Sequence, residues 1–370
     1  MIPGLDGLRA IAFLLVFLDH TNYLYIGWAG VQLFFVLSGF LITDILLKMK
    51  EQFAGRQYFI KFYGRRILRI FPLYYFYLAL MTAITAMLIF YGYRVNYMQH
   101  FQEHLPYALV YIYNFYIASA KFSGDSWLIG HFWSLSVEEQ FYIFWPLLIL
   151  LTPGKHIKKL FLAAIVLGPI IRLAITYIYK DQLLPFLSPN MPLAVYVLPF
   201  SHIDSFAMGA YIARFEIPRP KLQLSVLALL VPVLGFSTYY YSKGNFGEIS
   251  ALGFSYPLAN AMKQVWGYSL LAYLFAVLIY TVVRESLFIS ILQTKVLQYL
   301  GKISYGLYVY HFPVIWFVAR IVGDAGVQEN FLNHIIAVLS FVVTLLIASA
   351  SYRFIEKPII DLKDRFFRLA

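Results

Sequence analysis

The sequence predicts an all-α integral membrane protein, a bundle of about ten transmembrane helices with both termini in the cytoplasm. Hydrophobic residues make up 61% of the 370-residue chain and charged residues 13%, about half the charged share of soluble domains. Hydrophobic runs of roughly 20 residues, the length that one helix needs to cross a bilayer, recur along the whole chain. These two observations exclude a water-soluble fold.

Ten hydrophobic runs define the predicted spans in chain order. The runs cover residues 5–26, 28–47, 68–91, 131–151, 160–179, 193–213, 222–241, 264–283, 303–322 and 332–352. The first is not a cleaved signal, because Arg9 lies inside it and no small-residue cleavage site follows. The aromatic segment near 105–120 contains Pro106 and is interpreted as a short interfacial or re-entrant segment.

The distribution of basic residues sets the predicted topology. With the N-terminus in the cytoplasm, 22 of the 29 Lys and Arg residues fall on the cytoplasmic side, which is the pattern of the positive-inside rule. An eleventh span at 105–120 would invert the second half of the protein and move its basic loops outside. The formal net charge of +11 therefore reflects topology, and no nucleic acid partner is expected.

Missing residue types exclude several chemistries. The chain contains no cysteine, so disulfides, thiolate metal sites and a cysteine acyl-enzyme are ruled out. Walker A, G-x-G-x-x-G, H-E-x-x-H and G-x-S-x-G motifs are also missing. His100 and His104 have metal-ligand spacing with Glu103 between them, but no third ligand pattern accompanies them, so no metal is predicted.

Ionisable residues inside the predicted spans are the candidates for function, because each is costly in hydrocarbon. Arg9 and His20 are eleven residues apart, which places them on one helix face about 16 Å apart along the axis. An imidazole at this depth, in the outer half of the membrane, can act as a general base near neutral pH. The alternative is a histidine that forms hydrogen bonds within the bundle.

Two adjacent carboxylates, Glu138 and Glu139, occupy the start of the fourth predicted span. Glu138 shares a helix face with His131, whereas Glu139 is turned about 100° away. Either carboxylate could orient and stabilise a protonated His20. The alternative is a pair that interacts with the helix dipole.

A basic motif over residues 61–72 enters the third predicted span from the cytoplasm. It contains Arg65, Arg66 and Arg69, and arginine forks suit the phosphates of a nucleotide-type molecule such as coenzyme A. Contact with anionic lipid is the alternative.

Deeper in the bundle, Arg172 and Asp204 lie part-way through consecutive antiparallel spans and are expected to approach each other or to share a cavity. A structural ion pair and a substrate contact are both open. His311, on the aromatic ninth span, either lines a substrate channel or is a hydrogen-bonded core histidine.

Seven motifs in order resemble those of the membrane-bound acyltransferase-3 family. They cover residues 5–12, 30–43, 65–72, 132–142, 203–209, 303–310 and 352–358. One departure is Gln32, where many members carry Asp, so no charged role is assigned to this position.

The resemblance implies a single transmembrane acyltransferase domain over residues 1–370, without a soluble esterase-like domain, in a bacterial inner membrane. Its expected reaction moves an acyl group, usually acetyl, from cytoplasmic acetyl-CoA to a hydroxyl of an extracytoplasmic or lipid-linked glycan, with no permanently bound cofactor. The predicted catalytic residues are His20, Glu138 and Glu139. The predicted coenzyme-binding residues are Arg9, Arg65, Arg66 and Arg69. The predicted substrate-binding residues are Trp133, Arg172, Asp204, Tyr305 and His311.

Direct transfer of the acyl group to an acceptor activated by the base and transfer through an acyl-histidine intermediate are both compatible with this set of residues. A transporter or flippase for lipid-linked sugars would use the same buried charges, although the inverted repeats of many transporters are not visible. A membrane domain that binds a small regulatory ligand without turnover is a third interpretation.

Overall fold

A computed structural model describes residues 2–181, 183, 186–187, 190–258, 261–324 and 329–368. These residues form mostly α-helices, as the sequence predicted. The α-helices are α1 Leu5–His20, α2 Ala29–Gln52, α3 Gly55–Phe90, α4 Val95–Leu109, α5 Tyr113–Ile117, α6 Phe132–Leu151, α7 Ile157–Lys180, α8 Met191–Val197, α9 Ile203–Arg214, α10 Pro220–Lys243, α11 Lys263–Glu285, α12 Ile289–Leu292, α13 Lys295–Lys302, α14 Ser304–Asp324, α15 Glu329–Ser351 and α16 Lys357–Phe366. Short 3-10 helices occur at Gly154–His156, Pro199–His202 and Ile249–Ala251, and a π-helical turn at Tyr352–Glu356 joins α15 to α16.

Eight helices in the described part of the chain are long and apolar enough to cross a membrane. A ninth candidate is the pair Met191–Val197 and Pro199–Arg214, which is bent by 65°. Each predicted run coincides with a helix or with this pair, but α1 has 16 residues and falls short of the usual spanning length. The chain is a multi-pass membrane protein; the count of ten and the cytoplasmic position of both termini stay predictions.

The aromatic segment near 105–120 contains the end of α4 and all of α5. Tyr111, between the two helices, has a φ of 55° and breaks the helical path. Neither helix is among the candidate spans. The interpretation as an interfacial or re-entrant segment stays a prediction.

The chain divides by its internal contacts into two compact units. Unit 1 consists of Met1–Ile45, Ile117–Phe122 and Gln140–Lys302. Unit 2 consists of Leu46–Tyr116, Ser123–Glu139 and Ile303–Ala370.

Glycines let two helices of unit 1 approach closely. A Cβ atom on Gly39 of α2 would collide with the carbonyl oxygen of Phe206, and one on Gly209 of α9 would collide with that of Val36. In a membrane no hydrophobic force drives helices together, so small residues at their crossings let the backbones pack closely. The crossing fixes α2 against α9.

Tyrosine hydroxyls tie the helices of unit 2 to one another. Tyr74 of α3 donates to the carbonyl of Ala108 at 2.7 Å, in the last turn of α4. Tyr305 of α14 donates to the carbonyl of Ile70 at 3.0 Å. The last carbonyls of a helix lack intrahelical partners, so the Tyr74 contact satisfies the end of α4 while it fastens α4 to α3.

Candidate active site

α1 carries Arg9 and His20 on one uninterrupted helix. Arg9 Nη1 donates to Asp6 Oδ1 at 2.8 Å, one turn earlier, and the Arg9 side chain is 21% exposed. His20 is the last residue of the helix and is half-buried. The rise of an α-helix keeps the two positions about 16 Å apart along the axis.

Asp19, next to His20, is an acidic residue that the sequence analysis missed. It is half-buried, and its carboxylate accepts a hydrogen bond from the backbone N–H of Trp28. Trp28 directly precedes α2, so this contact ties the end of α1 to the start of α2. The available signal was an acidic residue near the end of the first hydrophobic run.

In unit 2, Glu138 and Glu139 differ in burial. Glu139 is buried, with 8% of its surface exposed, whereas Glu138 is half-buried. Glu138 and Arg66 are both near enough to act electrostatically on Glu139. The carboxylate pair and the basic motif of α3, which the sequence analysis treated as separate features, are therefore electrostatically linked within unit 2.

Arg65, Arg66 and Arg69 of α3 have different surroundings. Arg65 Nη1 donates to Asp364 Oδ1 at 2.9 Å and to the carbonyl of Phe367 at 3.1 Å. The Arg66 guanidinium lies 5.9 Å from the ring centroid of Phe62.

Arg69 lies near enough to Glu356 to act on it electrostatically. Glu356 is 4% exposed and accepts a hydrogen bond from Ser351 at 3.3 Å. Arg65 is thus hydrogen-bonded to α16 and to Phe367 just after it, whereas Arg66 and Arg69 lie within electrostatic range of the buried Glu139 and Glu356, respectively.

The predicted approach of Arg172 and Asp204 in unit 1 is confirmed. The pair is bidentate, with Nη1 to Oδ1 at 2.9 Å and Nη2 to Oδ2 at 2.8 Å, and both side chains have no exposed surface. Arg172 Nε donates to the carbonyl of Val265 at 2.9 Å, Nη1 also donates to the carbonyl of Ser201, and Nη2 also donates to Ser269 Oγ. Because an arginine has five N–H donors, every donor of Arg172 is used, which favours the structural interpretation.

Gln32 joins this buried network from α2. Its Nε2 donates to His202 Nδ1 at 3.1 Å, and its Oε1 accepts from Ser205 Oγ at 2.9 Å. His202 Nε2 donates to the carbonyl of Tyr196 at 2.7 Å, so Nδ1 is the acceptor nitrogen. The Ser205 N–H in turn donates to Asp204 Oδ1 at 3.1 Å. An amide supplies both the donor and the acceptor that this position uses, whereas an ionised carboxylate has no donor.

The remaining predicted substrate contacts lie in unit 2. Trp133 and His311 are buried, with 7% and 0% of their surfaces exposed, and Tyr305 is half-buried. His311 Nδ1 bonds the carbonyl of Tyr308 at 2.6 Å, one turn earlier. This contact favours a core histidine at position 311.

The predicted catalytic residues divide between the two units. His20 and Arg9 belong to unit 1, and Glu138 and Glu139 belong to unit 2. The pairing of His20 with either carboxylate stays a prediction. Among the described residues there is no group of three or more His, Cys, Asp or Glu side chains that could hold a metal ion.

Almost the entire chain is similar in sequence to known proteins. A family model described as "Acyltransferase domain" matches residues 2–353. O-acetyltransferase OatA of Staphylococcus aureus strain NCTC 8325 / PS 47 is 28% identical over 374 residues, covering 97% of this chain and 57% of the relative. A second protein of Staphylococcus aureus, strain COL, provisionally named an O-acetyltransferase, is 31% identical over 376 residues, covering 96% of this chain and 57% of the relative. The chain thus spans a little over half the length of these relatives. No solved structure matches.

Proposed function

Because this chain belongs to the acyltransferase-3 family, we propose that it transfers an acyl group, most simply acetyl, from cytoplasmic acetyl-CoA to a hydroxyl of an extracytoplasmic or lipid-linked glycan. The names of the relatives support an O-linked acetyl product. The observation that carries the proposal is the placement of Arg9 and His20 on one continuous apolar helix. The proposed location is a bacterial inner membrane, in keeping with bacterial relatives.

Donor binding is assigned to Arg66 and Arg69 of α3. Guanidinium groups suit the pyrophosphate and ribose phosphate of coenzyme A because they form paired, charge-assisted hydrogen bonds. Arg65 is assigned a structural role, since its guanidinium is engaged by Asp364 and the carbonyl of Phe367.

The chemical step is assigned to His20 as general base. The imidazole takes the proton of the acceptor hydroxyl, whose oxygen attacks the thioester carbonyl. A carbon–oxygen bond forms and the carbon–sulfur bond breaks, so that coenzyme A leaves as a thiolate and takes the proton that His20 removed from the acceptor.

The test is the release of coenzyme A by purified protein given acetyl-CoA and a glycan acceptor, followed with a thiol reagent. The chain has no cysteine, so every thiol detected belongs to the coenzyme. His20→Ala should abolish release, and His156→Ala, an exposed histidine of the 3-10 helix Gly154–His156, should not change it. Release by a folded His20→Ala variant at the rate of the original chain would overturn the assignment of the base. Glycan translocation without coenzyme A release would instead identify a transporter.

A further inference from the structure

Unit 2 contains a second cluster of reactive side chains around Ser123, apart from the residues of the candidate active site. Ser123 Oγ lies 3.3 Å from His104 Nε2 and 3.4 Å from His100 Nδ1. It also lies 3.2 Å from Glu103 Oε2 and 3.1 Å from the hydroxyl of Tyr116. The single hydroxyl hydrogen of Ser123 therefore faces two imidazole nitrogens and a carboxylate oxygen, all of which can accept a proton.

Tyr113 forms a hydrogen bond with His104 on the ring nitrogen that does not face Ser123. His104 Nδ1 lies 2.9 Å from the Tyr113 hydroxyl, and neither side chain has exposed surface. When Nδ1–H donates to the phenolic oxygen, the lone pair of Nε2 faces Ser123 Oγ. A hydroxyl, a base and a third group that orients the base form the arrangement that activates a nucleophile.

The protonation state of His104 suits this role. α4 is not among the candidate membrane spans. Burial, together with the neighbouring His100, lowers the pKa of His104 to about 4. The imidazole is therefore neutral at neutral pH and has a lone pair to accept a proton, although burial makes it a weaker base than a free histidine.

The exposure of these side chains agrees with the order in which they would act. Ser123 is exposed, whereas His104 and Tyr113 behind it are buried. An acyl donor can reach the hydroxyl, and the base is shielded from water. A serine that only fastened its loop to α4 would need one of these contacts rather than all of them.

We propose that Ser123 is an acyl-accepting nucleophile, with His104 as its general base and Tyr113 as the residue that positions His104. Ser123 Oγ attacks the carbonyl of a short-chain thioester or aryl ester. The bond from Oγ to the acyl carbon forms, the bond to the leaving sulfur or oxygen breaks, and the hydroxyl proton passes through His104 Nε2 to the leaving group. An incoming hydroxyl or water then attacks the O-acyl-serine and gives its proton to His104; the bond from the acyl carbon to Oγ breaks, and His104 returns the proton to Ser123 Oγ. This site needs neither His20 nor the arginines of α3.

The first experiment treats the purified full-length chain with p-nitrophenyl acetate and locates the acetyl group by peptide mass spectrometry. We expect a burst of p-nitrophenol and one acetyl group on Ser123, lost in Ser123→Ala and kept in Ser242→Ala, an exposed serine of α10. His104→Gln should slow acetylation by roughly 10²- to 10⁴-fold, the usual contribution of a general base. Tyr113→Phe should shift the pH profile of acetylation, which a merely structural tyrosine would not do. Acetylation elsewhere in the chain, or an unchanged rate in His104→Gln, would overturn the proposal.

A second experiment measures the effect of His104 on the side chain at position 123 without any acyl transfer. Ser123→Cys introduces the single thiol of the chain, and its rate of alkylation by iodoacetamide reports the thiolate fraction. We expect faster alkylation at neutral pH than for Ser242→Cys, and loss of the difference when His104→Gln is added. Equal rates in the two single variants, with both eluting as folded protein in size-exclusion chromatography, would show that His104 does not activate position 123.

Discussion

Arg172 of α7 and Asp204 of α9 form a fully buried, bidentate ion pair. Gly168, one turn before Arg172, makes room for the carboxylate, since a Cβ atom there would overlap the Asp204 carboxyl group. Ser269 of α11 donates to Asp204 Oδ2 and accepts from Arg172 Nη2. The pair therefore fastens three apolar helices at one point, where lipid-like surroundings offer no competing partner.

Removal of one member of this pair is expected to destabilise the protein. Asp204→Ala leaves the Arg172 guanidinium buried without a counter-charge, which costs about 3–5 kcal/mol in comparable pairs. The thermal midpoint of unfolding in detergent should fall strongly. Lys221→Ala, which breaks an exposed ion pair with Glu285, is the control and should change it little.

The double variant Arg172→Leu/Asp204→Leu removes both charges and should recover part of the loss. A midpoint for Asp204→Ala equal to that of Lys221→Ala would contradict the structural role of the pair.

The α2–α9 crossing should not tolerate a larger residue. Gly39→Ala places a methyl group against the carbonyl oxygen of Phe206, in a backbone contact that cannot give way cheaply. We expect a lower yield of folded protein and a lower thermal midpoint. Gly154→Ala is the matched control, because a Cβ atom there meets nothing within 4 Å. Equal midpoints for the two variants would mean that the helices are not in close contact at Gly39.

The amide of Gln32 should be needed for its two hydrogen bonds. Gln32→Leu leaves His202 Nδ1 and Ser205 Oγ without the partner that Gln32 provides, at about 1–3 kcal/mol for each buried group. The thermal midpoint should fall by much more than in Gln298→Leu, an exposed glutamine of α13. A midpoint unchanged by Gln32→Leu would exclude a stabilising role for this network.

Acid should destabilise unit 2 through His104. The folded-state pKa, lowered to about 4, lies below the ordinary value of 6.5. As the pH falls from 6.5 toward 4, the unfolded chain binds a proton at His104 that the folded chain does not, so the free energy of unfolding decreases.

The thermal midpoint should therefore drop between about pH 7 and about pH 5, and the drop should shrink in His104→Gln. His100 and Glu103 face the same site and are present in both proteins, so the difference between the two pH profiles isolates His104. Identical profiles would show that His104 does not titrate as described.

Hydrophobic run length and helix geometry were enough to locate the long apolar helices and to predict the approach of Arg172 to Asp204. These properties depend on distance along the chain and on depth, which the sequence states directly. The burial of Glu139 rather than Glu138 was not predictable, because apolar residues occur on every face of α6 and its rotation is set by packing. The contact of Ser123 with His104 was missed because a loop brings them together, and no periodicity describes a loop.

Arg65 and Arg69, one helical turn apart on α3, should respond differently to substitution. Arg65→Ala removes the hydrogen bonds to Asp364 and to the carbonyl of Phe367. We expect faster hydrogen exchange or proteolysis in α16 and an unchanged KM for acetyl-CoA. Since the Asp364 side chain is 65% exposed, the effect on global stability should be small.

Arg69→Ala should instead raise the KM for acetyl-CoA by roughly 10- to 100-fold, because a charge-assisted hydrogen bond contributes about 1.5–3 kcal/mol. Arg69→Lys should restore only part of the affinity, since an ammonium group cannot form the paired contacts of a guanidinium with phosphate. The measurement is acetyl-CoA saturation in the coenzyme A release assay, with Arg65→Ala as the matched control. A raised KM in Arg65→Ala and a normal one in Arg69→Ala would exchange the two assignments, and a normal KM in both would move the donor phosphates away from this part of α3.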